Sequence, residues 1–207
     1  YLDGSLFGWV GNYSAAFGKG ALPIGTGISN TAFGANAMVS GLNASYNTAF
    51  GSAAYRYSTG TNNAAFGFSA MNNTTGSYNS GFGISVLNVL STGSYNSAFG
   101  RQALVSLTTG NGNIGVGASS GEGTDPTNNK ATIDDYSGYI GYQAGRSVVS
   151  GTKLTNAWAI GQGALVGQSD SIVLGGTTAN AIKLGIGTTA PAAKVHVTAP
   201  TIGDEVF

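Results

Sequence analysis

The feature that most constrains this chain is a short repeat. The pentapeptides SAAFG (14–18), NTAFG (30–34), NTAFG (47–51), NAAFG (63–67), NSGFG (79–83) and NSAFG (96–100) follow one another, and NIGVG (113–117) continues them. Their large apolar position falls at Phe17, Phe33, Phe50, Phe66, Phe82, Phe99 and then Val116, in steps of 16, 17, 16, 16, 17 and 17 residues. A small-then-apolar pair trails four or five residues behind, at Ala21 and Leu22, Ala37 and Met38, Ala70 and Met71, Val86 and Leu87, and Ala103 and Leu104. Thr-Gly steps at Thr59-Gly60, Thr75-Gly76, Thr92-Gly93 and Thr109-Gly110 precede the next aromatic and read as turns. Glycine accepts positive φ without steric cost there, and the neighbouring Ser, Thr and Asn side chains can bond the local backbone.

A unit this short decides the fold class. Helical solenoids use units of about 33 to 47 residues with helical spacing of apolar positions, and helices tolerate glycine poorly. Each unit here is instead a short alternating stretch bounded by Gly, Asn, Ser and Thr, the pattern of a strand and a turn. The expected fold is all-β: a repetitive β-solenoid or β-roll with one coil per unit of 16 or 17 residues. Coils stacked at the strand spacing of about 4.8 Å would make ten of them a rod of order 50 Å.

The period divides the chain. Residues 1–117 are the regular solenoid, and 118–187 carry looser repeats at Ile140-Gly141, Ile160-Gly161, Leu174-Gly175 and Ile186-Gly187. An inserted loop is expected at 118–136, where Pro126 and four acids replace the apolar pattern; residues 188–207 read as a connector toward a chaperone or tip domain. Because the sequence starts at Tyr1 rather than methionine, it is expected to be a fragment, a mature product or part of something longer.

Stacked coils bring equivalent residues into columns. Asn30, Asn47, Asn63, Asn79, Asn96 and Asn113 should form a ladder in which side-chain amides bond between coils. The strand alternation sends the central Ala and the Phe to opposite faces. If Ala faces the thin interior of its own coil, Phe must face something else. Three chains, side by side or intertwined around a threefold axis, would supply that second core and protect the open faces, so a homotrimer is expected.

Chemistry has little to work with. Charged residues make up only 8% of the chain, where about 25% is usual. Disorder, the other reading of a Gly- and Asn-rich chain, fits poorly with 42% apolar residues recurring at fixed places. The net charge is zero with basic residues scattered, so nucleic acid is not an expected partner. No apolar run is long enough to span a bilayer, so no membrane insertion is expected. The chain has no cysteine, hence no disulfide or thiolate site. No acid lies between Asp3 and Glu122, and the single histidine, His196, sits in an alternating strand where a plain exposed role is expected. Glycine pairs such as Gly185 and Gly187 carry no nucleotide signal without a strand, turn and helix around them. Glu122, Asp125, Asp134 and Asp135 offer oxygen ligands of the kind calcium takes, but their spacing matches no EF-hand loop and a solvated loop is expected. No catalytic residue, metal or cofactor is expected. Tyr46, Tyr78 and Tyr95, with Tyr13 in a related place, precede the Asn column and form a candidate glycan-contacting ladder.

The AFG-x-x-AL and N-T-T-G units resemble repeats of phage tail fibres and of trimeric autotransporter adhesin heads, over residues 14–187. The segment KLGIGTTAPAAKVHV (183–197) is similar to the stretch that precedes the intramolecular chaperone of phage tail fibres and endosialidase-type spikes. The resemblance implies a structural and host-attachment segment of a trimeric fibre on the virion surface. Its partners would be its own copies, other fibre or tail proteins, and a host cell-surface glycan or protein receptor. The alternative it leaves is the head of a bacterial trimeric surface adhesin, and more distantly a polysaccharide-degrading spike.

Overall fold

In a computed structural model the chain is a parallel β-solenoid, as its repeat requires. The structure describes residues 5–11, 13–22, 27–39, 43–122, 133–148, 152–176 and 182–198. Fifteen strands are seen among them: β1 (Ser5–Gly11), β2 (Ser14–Lys19), β3 (Thr31–Phe33), β4 (Thr48–Phe50), β5 (Ala64–Phe66), β6 (Ser80–Phe82), β7 (Ser97–Phe99), β8 (Ile114–Val116), β9 (Gly138–Ile140), β10 (Gly145–Arg146), β11 (Ala157–Ile160), β12 (Leu165–Val166), β13 (Ser171–Leu174), β14 (Leu184–Ile186) and β15 (Val195–Val197). The main sheet has eleven strands in the order β1 to β9, β11, β13. Pairing from β2 onward is parallel, while β1 runs antiparallel and covers the outer backbone edge of β2. Strands β10 and β12 form a second parallel pair on the looser coils, and β14 and β15 a third.

Strands β3 to β9 are only three residues long because each is stopped by a backbone that leaves the β region. In the AFG unit the glycine takes φ between 117° and 146° from Gly18 to Gly161. A Cβ on Gly51 would lie 2.6 Å from the carbonyl oxygen of Gly67 in the next coil, so conformation and space both demand glycine. Two residues on, Asn36, Ala53, Ser69, Ser85, Gln102, Ser119 and Gln143 turn left-handed with φ of 50–58°. Phe33 accepts a bond from the Gly51 N–H at 2.7 Å, and this carbonyl-to-glycine bond recurs up the stack, as from Gly67 to Phe50 at 2.8 Å.

The core is a thin column between the central strand residue and the small-then-apolar corner. Ala32, Ala49, Ala65 and Ala98 face inward with Ala37, Ala54, Ala70 and Ala103, and Met38, Met71, Leu87 and Leu104 are fully buried beside them. Such packing leaves no slack, so size changes come in pairs. Val86 replaces the usual corner Ala, and the facing strand position is Gly81, where an added Cβ would sit 3.1 Å from Val86 Cγ1. The coil that lacked an apolar pair in the sequence pattern fills its corner with Tyr55. Its ring is fully buried, and its hydroxyl donates to the Gly60 carbonyl at 2.8 Å while accepting from Asn63 Nδ2 at 2.8 Å.

Candidate functional site: the outer ladders and the buried ion pair

Three columns leave the backbone of the regular coils, and each meets a different environment. The Phe column stands on the outer face of the sheet. Phe17, Phe33 and Phe50 stack with centroids 4.7 Å apart, Phe50 and Phe66 lie 6.2 Å apart, Phe66 and Phe82 4.7 Å, and Phe82 and Phe99 5.1 Å. The spacing is the strand spacing, which the sheet imposes on any column of identical residues. Strand register carries the same column through Val116, Ile140, Ile160 and Leu174. Ring stacking covers only part of each side chain: Phe33 is 42% and Phe50 49% exposed, whereas the Ala between them and the corner is buried. The opposite faces read from the sequence are therefore present, with one face filled and the other an apolar stripe running ten strands along the rod.

The Asn column points inward, at the corner before each strand. Each Asn ties two backbone groups of the next coil. Asn47 Oδ1 accepts the Asn63 N–H at 2.9 Å while Asn47 Nδ2 donates to the Gly60 carbonyl at 3.0 Å. Asn63 does the same to the Asn79 N–H (2.8 Å) and the Gly76 carbonyl (2.9 Å), and Asn30, Asn79, Asn96 and Asn113 follow the pattern. Direct amide-to-amide bonds, which the sequence reading put first, occur at three steps only: Asn79 to Asn63, Asn96 to Asn79, and Asn113 to Asn96. Backbone groups win because the turn leaves a buried carbonyl that needs a donor, which the Asn amide supplies in every coil and the Tyr55 hydroxyl supplements at Gly60. The bonded carbonyl is always three residues before the next Asn, whereas it lies 13 residues after its own Asn in 16-residue coils and 14 in 17-residue coils. The extra residue is thus absorbed before the turn, and strand register is untouched.

The third column precedes the Asn and faces solvent. Tyr46, Tyr78 and Tyr95 occupy it with φ of 59°, 61° and 61°, joined by Tyr13 and by Tyr136 at 59° and 50°. All five rings are exposed, and Tyr78 stacks on Tyr95 with centroids 4.9 Å apart and planes within 1°. Tyr136 belongs to the column although its insertion hides it from a 16- or 17-residue count; the signal that finds it is the Tyr-Ser-Gly-Tyr-Ile run aligned on Ile140.

The acids behave differently from the solvated loop expected of them. Residues 118–122 still follow the coil path, and Glu122 is buried with Oε1 accepting the Ser106 N–H at 3.1 Å. Asp134 is fully buried: Oδ1 accepts from Arg146 Nη1 at 2.9 Å and from the Leu154 N–H at 2.8 Å, and Oδ2 from the Tyr139 hydroxyl at 2.6 Å. Burial raises the Asp134 carboxyl above its usual range, against those three donors, and burial with the nearby carboxylate holds the Tyr139 phenol neutral, well above its usual range. The ring of Tyr139 takes the strand position that Ala fills elsewhere, with room left by the glycine at Gly121. Arg146 also reaches the Thr152 carbonyl. Asp135 stays near the surface, paired with Lys153 at 2.5 Å; burial opposes its ionisation, but the bonds from Lys153 and Asn111 outweigh this and lower its pKa. Asp125 lies outside the described residues. Among those described, no group of three or more His, Asp or Glu side chains is placed to hold a metal ion. His196 is half-buried in β15 and accepts the Ala192 N–H at Nδ1, 3.1 Å. No helix among the described residues is long and apolar enough to cross a membrane.

Comparison of the chain with protein-family models, with curated proteins and with solved structures finds no match in any of the three.

Proposed function

We propose that this chain is a structural and host-attachment segment of a trimeric phage tail fibre, displayed on the virion surface. The observation that carries the reading is the apolar stripe from Phe17 to Leu174. A continuous exposed stripe of this kind marks a protein interface, because water is excluded from it at no cost in unmet hydrogen bonds. A stripe repeating at one position in every coil fits equally repeated copies of itself, and three such faces meeting on an axis bury all three. The rod then supplies reach and stiffness, and its side chains the adhesive surface.

The similarity of the Lys183–Val197 segment to phage fibres favours a virion over the head of a bacterial surface adhesin, in which the same rod would serve equally well. The role is mechanical and adhesive. Multi-angle light scattering of the purified segment is expected to give three times the mass of the chain, and labelled trimer is expected to adsorb to host cells. A monomer in solution would sink the trimeric fibre. Negative-stain imaging of the parent assembly separates the two settings, since rods projecting from cells rather than virions would select the adhesin.

A further inference from the structure

We propose that the solvent-facing corner column carries binding slots for single, uncharged pyranose rings, the best formed of them lying over Asn62 between Tyr46 and Tyr78. The column reads Tyr13, Ser29, Tyr46, Asn62, Tyr78, Tyr95, Gly112, Tyr136 up the stack, and every position is left-handed, with φ of 50–66°. That conformation strains any residue with a Cβ and is eased for Gly and Asn, which occupy it in other coils. Tyrosine is a poor choice there on backbone grounds.

Stacking offsets the strain only where two tyrosines adjoin. Tyr78 and Tyr95 do so, at 4.9 Å. Tyr46 does not: its neighbours in the column are Ser29 below and Asn62 above. Tyr46 nevertheless keeps φ of 59° with its ring 54% exposed, matching Tyr78 at 61° and 52%. Matching φ sends their Cα–Cβ bonds in the same direction from points two strand spacings apart, about 9.5 Å. A flat ring entering over Asn62 would therefore lie about 4.8 Å from each tyrosine, close to the spacing that Tyr78 and Tyr95 adopt. Tyr13, Ser29 and Tyr46 repeat the arrangement two coils lower.

The floor of the slot chooses the kind of ring. The exposed Asn62 donates through Nδ2 to Thr61 Oγ1 at 3.3 Å, leaving its carbonyl oxygen and one amide hydrogen for a ligand. Between residues 4 and 121 the chain carries no acid and only Lys19, Arg56 and Arg101 as bases, and Arg56 lies over the ring of Tyr57 at 4.7 Å. An anionic ligand would find no counter-charge in the slot. A pyranose presents an apolar C–H face to each tyrosine and hydroxyls to the amide, whereas a plain arene would leave the amide unused and a nucleotide would bring a phosphate with no counter-charge to meet it. One ring is held weakly, and repetition along a fibre and among its copies multiplies weak sites. The biological meaning rests on the attachment reading above; the binding itself does not depend on it.

The test is saturation-transfer NMR and titration of the intact chain with methyl glycosides of glucose, galactose, mannose and N-acetylglucosamine, with benzyl alcohol and AMP as the competing ring types. At least one glycoside is expected to bind with a millimolar Kd. Asn62→Tyr, which fills the slot with a protein ring, should lower that affinity at least tenfold while holding or raising the melting temperature. Tyr46→Asn should do the same, and Tyr142→Asn, at an exposed tyrosine outside the column, should change nothing. The proposal is overturned if no glycoside binds, if binding survives Asn62→Tyr, if benzyl alcohol or AMP binds in preference, or if Tyr46→Asn melts the fold. Light scattering on the same samples separates the two readings: a monomer that binds overturns the trimer alone, and a trimer that does not bind overturns the slot alone.

Discussion

Asp134 Oδ1 and Arg146 Nη1 meet at 2.9 Å with neither side chain reaching solvent. The pair lies where the repeat widens, with Asp134 returning the chain to the stack before β9 and Arg146 sitting in β10. Through the Leu154 N–H and the Thr152 carbonyl it also holds the segment that leads into β11. One buried charge pair therefore ties together the ends of the longer coils, where the regular Asn turn is missing.

Removing one partner leaves an uncompensated charge in the core, so Asp134→Ala and Arg146→Ala are each expected to cost about 3–5 kcal/mol. The double replacement Asp134→Ala with Arg146→Ala should cost much less than the sum of the singles. Chemical denaturation of the four proteins measures the coupling, and additive losses would refute it.

The Asn column predicts a penalty set by stranded backbone groups. Asn63→Ala leaves the Asn79 N–H and the Gly76 carbonyl buried without that partner, at about 1–3 kcal/mol for each group. Asn63→Asp retains the acceptor but turns an oxygen toward the Gly76 carbonyl and the Tyr55 hydroxyl. It should be at least as damaging at neutral pH and partly recover once the carboxyl is protonated; a pH series of melting temperatures checks this.

Gly51→Ala is expected to disrupt its coil more than Ala53→Gly. The first places a Cβ 2.6 Å from the next coil's backbone at φ of 131°, while the second relieves a left-handed alanine at φ of 54°. Opposite signs of the change in melting temperature are the expected result, with the loss for Gly51→Ala exceeding about 2 kcal/mol.

If the Phe stripe is the face between copies, Phe50→Asp should lower the assembled mass while retaining the β circular dichroism of the coil. The ring is 49% exposed, so its own coil does not need it for closure. Loss of the coil along with the assembly would show instead that the stack itself depends on that ring.

The Asp135–Lys153 pair sets an acid limb. The folded-state pKa of Asp135 is lowered, so its contribution is complete above the ordinary Asp value of about 3.9 and is lost as pH falls through the lower folded value. Asp134, with a raised folded pKa, acts with the opposite sign. Asp135→Asn should therefore lose less stability than the parent between about pH 4 and pH 2, measured as the difference of two melting curves.

Much of the coil was legible because columns copy themselves. A Phe at one position and an Ala beside it predict opposite faces, and the structure fills one face and leaves the other open. Tyr55 escaped because an aromatic corner breaks the small-then-apolar rule; its buried hydroxyl is affordable only because the Asn63 amide and Gly60 carbonyl stand within reach. The expectation of solvated acids fails at Glu122 and Asp134 because polarity is a guide to exposure only when no buried partner exists, and the partners come from 5 to 20 residues away.

The sequence by itself determined the period, the strand and the three columns, since a parallel stack forces residues one coil apart into register and any mismatch would repeat at every step. Only the tertiary structure decided what the side chains in those columns bond. Asn ties the next turn's backbone more often than another Asn, and of two adjacent acids Asp134 enters the core to pair with Arg146 while Asp135 stays near the surface. Those outcomes depend on distances between coils and on which groups water can reach, and neither quantity is written in the spacing of residues along the chain.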